Sequence, residues 1–324
     1  MSRNSIGKSG LSFAVVLFLL MALTAYFLSP GYPAGENAGV CLPSPSMWHI
    51  KPMLSWGANL LLLLVCAAGA SVLNRKYNFV PGTDLMLPAA LLILVGSVPA
   101  DLQRISTGTL LLAVNLLSMG LLLGCRQQAN NTQRLFAIGS LISLGSTVQT
   151  AFIPFAIVYP IGAAMMKALG VKDTAAYIMG IISPYWALVG LGIVNPLDFR
   201  IEWQTGLFTL APPAKTVFII AIGVAVTALW GIILGFDNAI RLLKANVDVR
   251  RANRIFALLG IVALLGCIFK FPDMPAFLPT LFLGASVQLA NAFSLRPTPV
   301  SPFVPLVLIV AYTALFILSS GFVI

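Results

Sequence analysis

Histidine is almost missing from this chain, and acidic residues are scarce: one His and nine Asp or Glu stand among 324 residues. A Ser-His-Asp arrangement would have to be built on His49 alone, and nothing around it supports one. Cysteine is equally uninformative. Cys41, Cys66, Cys125 and Cys267 are isolated, with no C-x-x-C and no suggested pair. One histidine, four separate thiols and dispersed acids form no clustered ligand set, so neither a metal nor a cofactor is expected. Phosphate-cradling and nucleophile-elbow motifs are also missing. Charge of either sign is low. Only 9% of residues are charged, against about 25% in soluble domains. A soluble globular domain is thereby excluded. The net charge of +10 does not point to nucleic acid, because the basic residues are dispersed between apolar runs rather than gathered on one polar face.

What the chain has instead is apolar length. Hydrophobic residues make up 59%, and mean hydropathy is +0.97. Apolar runs of about 17–21 residues recur along it, which is the transmembrane signature. The expected fold is all-α: a polytopic transmembrane helical bundle of about eleven spans, forming a single integral membrane domain over residues 1–324. Nine runs are plain: Leu11–Leu28, Ser55–Leu73, Leu85–Pro99, Gly108–Gly124, Ala175–Val194, Thr216–Gly235, Ile255–Phe269, Ala276–Phe293 and Phe303–Phe322. Leu135–Lys167 holds either two short spans or a re-entrant pair, so nine spans plus that pair is the variant. The first run resembles a signal peptide, but it is long for one. No convincing A-x-A site follows, so an uncleaved span is expected.

Basic residues fix an orientation. Fourteen of the nineteen fall in the N-terminus and alternate loops. Lys51, Arg104, Arg200, Lys215 and Lys270 fall on the other side. The bias places the N-terminus in the cytoplasm, and eleven spans would put the C-terminus outside.

Two regions carry candidate chemistry. The first is the centre of the chain. Pro184 lies near the middle of Ala175–Val194, where it withholds a backbone donor from Gly180. In a membrane the freed carbonyl needs another partner. Ser183 and Tyr185 supply hydroxyls beside the break, Trp186 lies away from the usual interfacial belt, and Gln149 sits between the two halves of Leu135–Lys167. A packing kink is the plainer account. A substrate-binding cavity lined by Gln149, Ser183, Pro184, Tyr185 and Trp186 is the functional one. The second region is the outer loops, where Asp101 stands with Arg104, and Asp198 with Arg200 and Glu202. The last three alternate with Phe199, Ile201 and Trp203, a period of two that suggests an extended segment. Such acids and arginines are candidates for catalysis on a sugar or phosphate, since arginine donates two parallel hydrogen bonds to phosphate.

No Asp, Glu, Lys or Arg falls near the centre of an expected span, which counts against an ion-coupled transporter. Asn59, Asn115, Gln149, Gln288 and Asn291 fall within or between spans, where neutral amides join helices by hydrogen bonds. In Phe236–Arg254, Ile240, Leu243 and Val247 share one helical face, which fits an amphipathic segment on an anionic leaflet.

Phe136, Gly139, Gly145 and Pro154, then Gly180 with Pro184-Tyr185, resemble a family of uncharacterised multi-pass inner-membrane proteins of Bacteroidota, a domain of unknown function. Asn74, Leu87-Pro88 and Ser97-Val98-Pro99 are similar to that family's early spans. The resemblance covers about two thirds of the chain. It implies the inner membrane of a Gram-negative cell and no site residues. Members are sometimes labelled carotene-cleaving oxygenases. That chemistry needs an iron held by several histidines, and His49 alone excludes it.

Three functions are expected in order. The first is a cell-envelope factor or enzyme handling a lipid-linked sugar or lipid phosphate at the outer face. The second is a transporter or flippase using the break at Pro184. The third is a scaffold subunit of a membrane complex. The expected partners are the lipid bilayer, a lipid-linked substrate and other membrane proteins.

Overall fold

The structure is a computed structural model, and it describes residues 3–28, 39–45, 48–81, 85–125, 131–199, 215–244, 246–295 and 303–320. The chain forms α1 (Arg3–Leu28), α2 (Pro52–Tyr77), α3 (Met86–Gly96), α4 (Pro99–Gln103), α5 (Thr107–Gly124), α6 (Asn131–Val148), α7 (Phe155–Met165), α8 (Val171–Gly190), α9 (Lys215–Arg241), α10 (Val247–Phe269), α11 (Met274–Ser294) and α12 (Phe303–Ser319). No strand occurs among the described residues. Every expected apolar run has its helix. Six of them, α1, α2, α5, α9, α10 and α11, are long and apolar enough to cross a membrane. A helix answers all its own backbone donors and acceptors, which is what a hydrocarbon surrounding demands.

Burial sorts these helices. In α11, 94% of the apolar window is buried, against 28% in α1 and 22% in α9. The bundle is therefore built around α11, which packs on α3, α5, α9 and α10. Peripheral helices turn large apolar side chains outward, such as Leu61 of α2, Leu229 of α9 and Val310 of α12. That is the pattern of a protein whose solvent is lipid.

Small residues allow the closest approaches. A Cβ on Gly180 of α8 would run into the Phe136 carbonyl of α6, and one on Gly139 would meet the Tyr177 carbonyl at 2.5 Å. These two glycines let α6 and α8 touch backbone to backbone, as small residues do in membrane helix pairs. Leu135–Lys167 becomes most of α6, a 3-10 turn at Thr150–Phe152, and α7. Gln149 is extended at the corner. With 11 residues, α7 is only about 16 Å long.

The polar loop expected over Phe236–Arg254 is corrected. Helix α9 runs on to Arg241, a 3-10 turn covers Leu242–Lys244, and α10 starts at Val247. Ile240, Leu243 and Val247 thus share no continuous helical face. The apolar pattern belongs to the end of one spanning helix and the start of the next.

Candidate functional site

The break at Pro184 resolves into helix contacts. The Gly180 carbonyl that Pro184 leaves unpaired accepts the Ser183 hydroxyl at 3.1 Å. Ser183 also meets Ser140 Oγ at 3.3 Å, and the Tyr185 hydroxyl meets Ser146 Oγ at 2.7 Å. Ser143 Oγ donates to the Ile181 carbonyl at 2.6 Å. The first of these bonds lies within α8, and the other three join α6 to α8. Trp186 points away from them and is 76% exposed. Ser183 and Tyr185 are thus spent on packing, Trp186 faces outward, and Gln149 lies at the corner before the 3-10 turn.

Asp101 and Arg104 lie at one end of the bundle, on the short α4 and just after it. The local cause is a run of helix breaks. Val98 is extended and Pro99 opens α4 after it, because a proline disfavours helix in the residue before it. After α4, Arg104 is extended, and Ser106 opens α5 with a capping box, exchanging bonds of 3.2 Å with Thr109. The short α4 is strapped to its neighbours. Asn59 Nδ2 donates to the Asp101 carbonyl at 2.7 Å, Ser55 Oγ accepts from Ile105 N at 3.1 Å, and Gln103 Nε2 donates to the Ala25 carbonyl at 3.2 Å.

This strapping carries Asp101 inward. Its side chain is fully buried, and neither carboxylate oxygen has a hydrogen-bond partner. The Asp101–Arg104 pairing expected from the sequence is not formed through the carboxylate. A carboxylate without partners in such a place costs several kcal/mol. Burial therefore pushes the Asp101 carboxyl well above the usual carboxylate range. It is a buried acid, held in a short turn between two apolar helices, where nothing in reach stabilises its charge.

A second buried group lies at the same end. Lys270 follows α10 and is 1% exposed. Its ammonium donates to Thr150 Oγ1 at 2.7 Å and to Asp273 Oδ2 at 3.2 Å. Asp273 is itself only 8% exposed. The pair therefore clamps the α10–α11 corner onto the 3-10 turn after α6. Gln149, the residue before Thr150, keeps its Oε1 buried without a partner. Cys267, three residues before Lys270, lies within electrostatic reach of Asp101, which joins the two buried groups into one neighbourhood. Gly108 brings the start of α5 against the Pro275 carbonyl, so close that a Cβ would stand 2.8 Å from it.

Sequence reasoning placed Lys270 and Asp273 in loops on the side of Asp101, and Thr150 beside Gln149, but named only Asp101 and Gln149 as site candidates. Of the other candidates, Arg104 is half-buried. The backbone of Asp198 closes a 3-10 turn at Pro196–Asp198, which replaces the expected extended start. Arg200 and Glu202 lie outside the described residues. Phe199 does reach the α8 end, edge-on to the Tyr185 ring at 5.8 Å.

Of the expected amides, Asn59, Asn115, Gln288 and Asn291 join helices, whereas the Gln149 Oε1 finds no partner. Tyr159 donates to Asn115 Oδ1 at 2.7 Å, and Asn115 to Thr280 at 3.2 Å, which links α7, α5 and α11. Toward the far end of α11, Asn253 Oδ1 accepts from Gln288 at 3.0 Å and Asn291 at 3.1 Å, while Asn238 donates to Gln288 Oε1 at 3.0 Å. Among the described residues no three His, Cys, Asp or Glu side chains come together. No protein family, curated protein or solved structure matches this chain.

Proposed function

We propose that this chain is a multi-pass inner-membrane carrier of the transporter or flippase class, with Asp101 as its protonatable group. The single supporting observation is the buried Asp101 carboxyl with both oxygens unpartnered. Ionisable groups inside membrane proteins mark proton relays and substrate paths. The sequence expectation counted against a transporter because no carboxylate fell within a span. Asp101 meets that requirement from a turn, because α1, α2 and α11 close over it. It takes or releases a proton only when those helices part, so protonation and opening are linked.

The cargo class follows the first sequence expectation, a lipid phosphate or lipid-linked sugar. Enzyme action at the outer face is the second reading. The half-buried Arg104 at the Asp101 end favours it, as a cation for a phosphate beside an acid that supplies a proton. Both readings place the N-terminus in the cytoplasm with about eleven crossings.

The test uses proteoliposomes containing a fluorescent phosphatidylglycerol, with leaflet exchange followed by quenching. A pH gradient is expected to accelerate exchange in the wild type, and Asp101→Asn is expected to remove that dependence. Wild-type dependence in a well-folded Asp101→Asn protein would refute the carrier reading. Loss of an envelope glycan on Asp101→Asn, without any change in exchange, would favour the enzyme.

A further inference from the structure

Far from Asp101, α9, α10 and α11 enclose a groove of about 250 Å³. Gly231 and Gly235 of α9 line it, with Ala257 and Gly260 of α10 and Gly284 of α11 as floor. Thr227 and Ala239 also line it, so it follows α9 for twelve residues, about 18 Å. Small residues of all three helices line it, and on α9 the reason is not helix contact. In a membrane, glycines ordinarily let a neighbouring helix come close. Gly260 and Gly284 do so: a Cβ on Gly284 would stand 3.0 Å from the Gly260 Cα. Gly231 does not, because a Cβ there would meet nothing within 4 Å. At Gly235 the nearest atom would be Gln288 Oε1 at 3.9 Å. The space beside α9 is open, and its rim is apolar, with Ile232, Phe236 and Ile261 exposed.

One end of the groove is cationic. Arg254 lines it, is exposed, and makes no hydrogen bond or ion pair among the described residues. Arg250 and Arg251 precede it on the first turns of α10. This end also carries the Asn238–Gln288–Asn253 amides, so the groove runs from a polar, cationic mouth into an apolar interior. A cavity of about 150 Å³ takes one benzene molecule, so this one has room for roughly ten chain carbons.

We propose that this groove holds one hydrocarbon chain of an anionic membrane lipid, with the lipid phosphate at Arg254. An apolar channel open to the bilayer with an unpaired guanidinium at its mouth matches an amphiphile of that charge. The inference rests on the membrane nature of the bundle and not on Asp101 or on transport.

Delipidated full-length protein in detergent, titrated with dioleoyl phosphatidylglycerol or dioleoyl phosphatidylcholine and followed by native mass spectrometry, tests it. The expected result is one tightly held phosphatidylglycerol per chain. Arg254→Gln should weaken that binding about fivefold, the effect of one arginine near an anionic surface, and leave phosphatidylcholine unchanged. Gly231→Leu with Gly235→Leu should abolish the tight phosphatidylglycerol binding, and Gly231→Ala, a smaller filling that the open space accommodates, should weaken it. Wild-type lipid binding in the filled variant would overturn the proposal, as would equal binding of both lipids by the wild type. A dimer that the filled variant dissociates, with no lipid bound in either protein, would overturn it in favour of a second copy. Because binding is read in detergent, it can fail or succeed whatever the pH-gradient experiment finds.

Discussion

Replacing Lys270 by methionine is the sharpest test of how the Asp101 end is held together. The ammonium is 1% exposed and holds both Thr150 Oγ1 and Asp273 Oδ2. Methionine is close to it in volume, so a cavity contributes little. What remains is an Asp273 carboxylate at 8% exposure without its cation. Breaking one side of such a pair costs about 3–5 kcal/mol, most of it from the stranded charge. Removing both charges together, as in Lys270→Met with Asp273→Asn, strands nothing and should return to within about 2 kcal/mol of the wild type. The assay is reversible unfolding in mixed micelles, with the four proteins arranged as a double-mutant cycle. A Lys270→Met protein within 1 kcal/mol of wild type, or two single changes that simply add, would refute the description of the pair as a buried clamp.

Two further outcomes follow from the same geometry. Pro184→Ala restores a backbone donor that competes with Ser183 for the Gly180 carbonyl, so it should lower stability by about 1–2 kcal/mol. Gradient-driven lipid exchange per folded molecule should stay near normal, and a stable but inactive Pro184→Ala protein would instead move the functional centre to α8. Single cysteines placed at Ser5, Asn131 and Asn246 in a cysteine-free background should resist an impermeant maleimide in intact cells. Labelling at all three would reverse the orientation.

The helices were legible because hydrocarbon burial needs sustained apolar length, and length is a local property of sequence; six of them are long and apolar enough to cross a membrane. The glycines and Pro184 were legible for the same reason. Gly139, Gly145 and Gly180 lie where a backbone carbonyl or the Phe152 ring leaves no room for a Cβ. These are packing positions, and they say nothing of chemistry. Asp101 was legible as a candidate but not as a buried one. Its neighbourhood, Asp101-Leu102-Gln103-Arg104, is polar and has the composition of a surface turn. Its burial comes from α1 and α2, whose sequences lie tens of residues away, and from α11 beyond them. Lys270 was missed likewise, because its partner Thr150 lies 120 residues away. The start of α10 was placed at Ile255 by hydropathy. The helix begins at Val247 because Asn246 accepts a bond from the Asp248 amide and arginines are good helix formers despite their polarity.

Infrared difference spectroscopy of Asp101 tests the central claim most directly. A buried carboxyl whose folded pKa is raised binds its proton more tightly folded than unfolded. Stability is therefore full below the ordinary carboxylate pKa and declines as pH rises from there toward the raised folded value. Asp101→Asn removes that slope. In liposomes at a pH just above the ordinary carboxylate range, the wild type minus Asp101→Asn spectrum should show the carbonyl stretch of a protonated carboxylic acid, shifted by deuterium exchange. A spectrum showing only the paired stretches of an ionised carboxylate at Asp101, with stability equally pH-dependent in both proteins, would contradict the account.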